Sequence, residues 1–174
     1  MRKFYIIKHN PNTVDAAVSA LKNEHANALE PDVTFRTGGF WVYDSDDPFD
    51  GGWHGSISLE DYCTGLANAL LNDRTLNLAL IAWDLKTHFS MAWDFAAFQK
   101  IINEKFNQVL IDGGYGSLIP MLFTSPDSFD FMINKVAPFI TNGSFLNNCL
   151  AIGTDGYNNP GDASNNLNTD MRII

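Results

Sequence analysis

Phe4-Tyr5-Ile6-Ile7-Lys8-His9, then Asn10-Pro11-Asn12, then Thr13-Val14-Asp15-Ala16-Ala17-Val18-Ser19-Ala20-Leu21 reads as a strand that leads directly into a helix. The run Phe4 to Ile7 is short, continuous and rich in aromatic and β-branched side chains, as expected of a strand buried on both faces. His9 then stands at its C-terminal end. Thr13 is a suitable N-cap, Asp15 suits the positive end of the helix dipole, and Val14, Ala17, Val18 and Leu21 fall on one helical stripe.

The same alternation continues along the chain. Ala28 to Phe35 reads as a second strand, with Leu29, Val33 and Phe35 on one face and Glu30, Asp32 and Thr34 on the other; Pro31 costs it one ladder hydrogen bond. Phe40 to Tyr43 and Trp53-His54 flank an acidic, turn-rich loop over Asp44 to Gly52, inserted in or beside a third strand. Ser58 caps a helix carrying Leu59, Tyr62, Leu66, Ala69 and Leu70, with Asp61 closing a variant of the capping box. Leu78 to Trp83 reads as a buried strand that delivers Asp84 and Lys86 at its far end. A helix is expected over Ala92 to Phe106, a strand over Leu118 to Phe123, a helix over Phe129 to Phe139, a sixth strand over Cys149 to Ile152, and a loop-like tail over residues 158–174.

Strands alternating with helices predict a parallel sheet with right-handed crossovers. The polar residues gather at strand C-termini, where a (β/α)8 barrel of the TIM type keeps its active site. A complete barrel takes about 250 residues, so the expected architecture for 174 residues is one incomplete barrel domain, truncated after about its sixth strand. Such an opening would leave strand edges unpaired.

Composition narrows the chemistry. The net charge of −9, from 20 acidic and 11 basic side chains, argues against a nucleic-acid partner and makes any attraction to phosphate depend on a bound cation. Cys63 and Cys149 could form at most one disulfide and have no metal-binding spacing. The apolar run after Met1-Arg2-Lys3 stops at Lys8, too short for the core of a secretory signal.

Glu30, Asp32 and Asp84 supply hard oxygen donors of the kind Mg²⁺ takes. Each acid alone reads as a solvated or capping residue, but two carboxylates on one strand face are costly without a cation. His9 and His54 are candidates to take and give protons near neutral pH. Lys86, two residues beyond Asp84 on the same face, can hold a phosphate oxygen; the bland reading is a rim lysine paired with a carboxylate. Trp53, Trp83 and Tyr43 could face a quaternary ammonium group, although such aromatics are more often packing residues.

Four segments in order resemble the sphingomyelinase D-like phospholipases, the family that includes recluse-spider venom toxins. They are Ile6-Ile7-Lys8-His9 with Asn12-Thr13-Val14-Asp15, Leu29-Glu30-Pro31-Asp32-Val33-Thr34-Phe35, Trp53-His54-Gly55, and Trp83-Asp84-Leu85-Lys86-Thr87. The resemblance runs from about Lys3 to Asp127. It implies His9 and His54 as the catalytic acid/base pair, Glu30, Asp32 and Asp84 as Mg²⁺ ligands, and Lys86 as a phosphate contact. It further implies a sphingomyelin or lysophospholipid substrate met at a membrane surface, loss of the head group with a cyclic phosphate product, and secretion. The related glycerophosphodiester phosphodiesterases, which act on soluble substrates, are the alternative, and a non-catalytic protein that binds metal or lipid is a third. The family's cysteine-bridged loop has no counterpart here, because His54 runs through Gly55-Ser56-Ile57 into the Ser58 helix.

Overall fold

The computed structural model describes residues 5–36, 39–44, 56–86, 94–125, 149–153 and 172–173. They form a mixed α/β fold in which helices cover one face of a single sheet. β1 (Ile7–His9) is followed by α1 (Val14–Asn23), β2 (Ala28–Glu30), β3 (Asp32–Arg36), β4 (Gly39–Val42) and β5 (Ile57–Ser58). Then come α2 (Leu59–Asn72), β6 (Leu80–Lys86), and α3 (Phe95–Ile102), which runs through a π-helical segment (Asn103–Asn107) into α4 (Gln108–Asp112). β7 (Met121–Thr124), β8 (Cys149–Gly153) and β9 (Arg172–Ile173) complete the set. Among the described residues no helix is long and apolar enough to cross a membrane.

Pro31 explains the sheet's main irregularity. Without an N–H, it cannot continue the ladder, and the expected single strand over Ala28 to Phe35 divides into β2 and β3. Both halves lie along β6 in parallel, with Ala28 opposite Leu80 and Asp32 opposite Asp84. Their outer neighbours differ: β2 pairs β1 in parallel, whereas β3 pairs β4 in an antiparallel hairpin that β5 extends. Beyond β6 the order is β7, β8 and β9. Thus β1, β2 with β3, β6, β7 and β8 are parallel neighbours in chain order, while β4, β5 and β9 correct the expectation of a purely parallel sheet.

Element ends also shift. Lys8 and His9 lie within β1, and Asp84 and Lys86 within β6, because ladder pairing continues through them. β7 begins at Met121, later than expected, and β9 occupies part of the tail read as loop. The expected helix over Phe129 to Phe139 lies outside the described residues.

Strand alternation separates an apolar face from a polar one. Ile81, Trp83 and Leu85 of β6, Val33 of β3, and Met121 and Phe123 of β7 join the core beneath the helices. Trp83 is fully buried there, edge-on to Phe98, so it is a packing residue, the commoner of its two readings, and not a head-group contact. The opposite face carries Asp32, Thr34, Asp84 and Lys86.

The helices bury the expected stripes. Thr13 Oγ1 accepts from the Ala16 N–H, and Ser58 both accepts from the Asp61 N–H and donates to its carboxylate. Each such cap contributes about 1 kcal/mol. Phe98, Ile102, Phe106 and Leu110 are all fully buried. Residues four apart drift roughly 40° around a straight α-helix, so this stripe would rotate off the core; the π segment absorbs the excess and keeps it facing inward. The helix therefore extends to Asp112, past the expected end at Phe106.

Candidate functional site

Strand register brings five of the six residues singled out in the sequence onto neighbouring strands. His9 of β1 lies opposite Glu30 of β2, and Asp32 of β3 opposite Asp84 of β6. Lys86 follows Asp84 by one pleat, so its side chain returns to the same face. Lys86 Nζ lies 2.8 Å from Asp84 Oδ2, 3.1 Å from Asp32 Oδ1 and 3.3 Å from Asp44 Oδ1. The bland reading of Lys86 as a carboxylate partner is therefore correct about its contacts, but its side chain is only 10% exposed and is not at the rim.

Asp32 is fully buried and Asp84 2% exposed, while Asp44 remains 43% exposed. Burial pushes the Asp32 carboxyl up to about 6, against the opposing pull of its hydrogen bond from Asn12 and the charge of Lys86. Burial would by itself lower the Lys86 pKa, but Asp84 and Asp32 outweigh it and hold the ammonium well above its usual value. Lys86 is thus a permanent cation at the centre of the cluster. Asp32 Oδ1 meets it as an ion-pair contact and is aligned with no hydrogen-bond donor among the described residues.

His9 is different in character. Its side chain is 66% exposed, and Nε2 stands 3.9 Å from Glu30 Oε2, close enough for charge attraction but too far for a hydrogen bond. It is open to a ligand from solution. His54 lies outside the described residues, as does Trp53.

Two asparagines and an aspartate join the cluster without having been singled out in the sequence. Asn12 donates from Nδ2 to Asp32 Oδ2 at 2.7 Å and accepts the Asp32 N–H on Oδ1 at 3.0 Å. Asn10, with φ 54°, donates from Nδ2 to Asp44 Oδ2 at 3.0 Å. Asp44 follows β4 closely, and the hairpin with β3 returns it toward Lys86. The signal available in the sequence was the Asn-Pro-Asn turn after the first strand, beside His9.

The donor set suits a hard dication in type, since it consists of carboxylate oxygens. Among the described residues, Asp32, Asp84 and Asp44 all meet the Lys86 ammonium. The side chains are arranged around Lys86, and among the described residues no group of three or more His, Cys, Asp and Glu side chains converges closely enough to hold an ion as it stands. Cys63 is free and buried, and burial pushes its thiol up, away from the thiolate that a nucleophile or metal ligand needs.

Comparison with family models, with curated proteins and with solved structures finds no match to the chain.

Proposed function

We propose that the chain is a Mg²⁺-dependent phosphodiesterase of the phospholipase D or sphingomyelinase D type, built on the first strands of a (β/α)8 barrel. The fold part rests on strand order: five parallel positions follow one another in chain order without the reversal of a doubly wound sheet. The observation that carries the site is the register that sets His9 beside Glu30 and Asp32 beside Asp84, with Lys86 between the two aspartates.

In this reading Glu30, Asp32 and Asp84 would hold Mg²⁺, and the ion would supply positive charge for the phosphoryl oxygens. Lys86 adds a second positive charge to the same oxygens. Exposed Asp44 is its weakest-held partner and gives way to the substrate phosphate. His9 takes the proton of the attacking hydroxyl or water, and His54 gives one to the departing alcohol oxygen. Attack by a lipid hydroxyl would leave a cyclic phosphate; attack by water would leave a monoester.

Choline release from sphingomyelin and lysophosphatidylcholine, measured with Mg²⁺ and after chelation, tests the proposal. Release that needs Mg²⁺ and is lost in His9→Ala is expected. Activity that survives both treatments contradicts it. Glycerophosphocholine in the same assay separates a lipid enzyme from one acting on soluble diesters. A second reading, a binding protein without turnover, draws on the existing neutralisation of the carboxylates by Lys86, and it predicts Mg²⁺ or lipid binding with no release from any of the three substrates.

A further inference from the structure

Among the described residues, β1 has a strand on one side only, β2. Ile6 O accepts the Ala28 N–H at 3.2 Å and the Asn10 N–H donates to Glu30 O at 3.1 Å, so the even-numbered residues turn their backbone groups toward β2. Successive residues of a strand alternate between its two edges, and the N–H and C=O of Ile7 and His9 therefore point outward. A row of such groups is a template for another strand.

The side chains do not guard this edge. Of the four large hydrophobic residues exposed among the described residues, three are Tyr5, Ile6 and Ile7, and the fourth is Ile111. Lysine is a common means of keeping a second strand away, but Lys8 is bound to Glu24 at 2.8 Å. The edge is thus locally neutral although the chain carries a net charge of −9.

What fits the edge is a copy of itself. With a twofold axis at Ile7, two β1 strands run antiparallel and set Ile7 opposite the partner's Ile7, and Ile6 opposite the partner's Lys8. Tyr5, which continues the alternation just before β1, comes opposite the partner's His9. The outward groups then meet in hydrogen-bonded pairs. Apolar meets apolar, an aromatic ring meets an imidazole, and Lys8 meets an aliphatic side chain; an axis at Lys8 would instead oppose two lysines.

We propose that the outer edge of β1 docks a second copy of this chain in this register, forming an isologous dimer whose sheet continues across the contact. Ile7 and His9 leave the strand on the face that carries Glu30, so the partner's Tyr5 comes beside the exposed His9. The pairing holds whatever reaction the site performs.

Sedimentation velocity of the full chain tests it. A contact confined to Tyr5 to His9 belongs to the small, transient class of interface, below about 1,200 Å², so the measurement runs to near-millimolar concentration, where a monomer should pass into a dimer. Ile7→Lys opposes two ammonium groups. Ile7→Pro removes an outward N–H at the first residue of the strand, where proline is tolerated, and leaves the bonds to β2 intact. Each variant, with its fold checked by thermal melting, should weaken the dimer about tenfold or more. Oxidising an equal mixture of Tyr5→Cys and His9→Cys should link the two chains, because the Cα atoms of a hydrogen-bonded pair stand about 5.5 Å apart, within disulfide reach. A wild type that stays monomeric, as it would if the edge takes a strand of another protein, overturns the proposal. So does unchanged dimer affinity in a folded Ile7 variant, or equal linkage between Tyr5→Cys and Lys8→Cys, whose side chains leave opposite faces.

Discussion

Lys86→Met would remove the ammonium from among three carboxylates, two of them almost without solvent contact. Loss of one partner from a buried ion pair costs about 3–5 kcal/mol, because the remaining charge is left uncompensated. Denaturant unfolding of Lys86→Met should show a loss of that size. Asp44→Asn, at an exposed carboxylate, should cost less than about 1 kcal/mol.

Asp32 gives the site a pH signature. Its folded pKa of about 6 lies above the ordinary value of 3.8, so between these limits the unfolded chain releases this proton first. The penalty of the buried carboxylate is absent at lower pH, grows as pH rises through the window, and is complete above about 6. The stability of the wild type relative to Asp32→Asn should therefore fall between pH 4 and pH 6, by at most about 1.4 kcal/mol per pH unit. Denaturant midpoints of the two proteins across that range check the sign; a relative gain with rising pH would contradict it. At this scale the carboxylates and Lys86 were legible because same-face spacing is a local property of a strand. Asn12 and Asp44 were not, because their partners are 20 and 42 residues away in sequence and are reached only through turns that no periodicity describes.

Among the elements, α2 packs against Val14 of α1 at Gly65. A Cβ added there would stand 2.7 Å from Val14 Cγ2, part of a β-branched side chain with little rotamer freedom. Gly65→Ala gains about 1 kcal/mol of helix propensity, but overpacking costs about 1–3 kcal/mol. A net loss of about 1 kcal/mol and a fall in Tm of about 2–4 °C are expected, readable by thermal melting; a rise in Tm would show that Val14 yields freely. Helix starts at Thr13 and Ser58 were legible from their capping side chains. The end of the long helix was not, because the π segment alters the phase on which the periodicity argument depends. The hairpin joining Phe35 to Phe40 was missed although Arg36 and Gly39 are separated only by Thr37-Gly38, a length and composition that favour a tight turn.

For the whole molecule, alternating strands and helices made the parallel part of the sheet legible. The antiparallel additions depend on which strand edges remain available for pairing, and that is settled only once the sheet has assembled. β1 pairs with β2 alone among the described residues, and its first residue Ile7, with Tyr5 and Ile6 just before it, is exposed. Mg²⁺ that binds the folded chain alone must also stabilise it: at 100 times its Kd, the gain is about 2.7 kcal/mol. A rise in Tm with Mg²⁺ that disappears in Asp84→Asn would place the ion among these carboxylates; an equal rise in the variant would place it elsewhere.

The most direct test of the phosphodiesterase reading is ³¹P NMR of sphingomyelin incubated with the protein and Mg²⁺, run in parallel with His9→Ala. With the wild type the diester resonance should be replaced by that of a cyclic phosphate or a phosphomonoester, and with the variant it should persist. An unchanged diester resonance in both samples, or equal conversion in both, would contradict it.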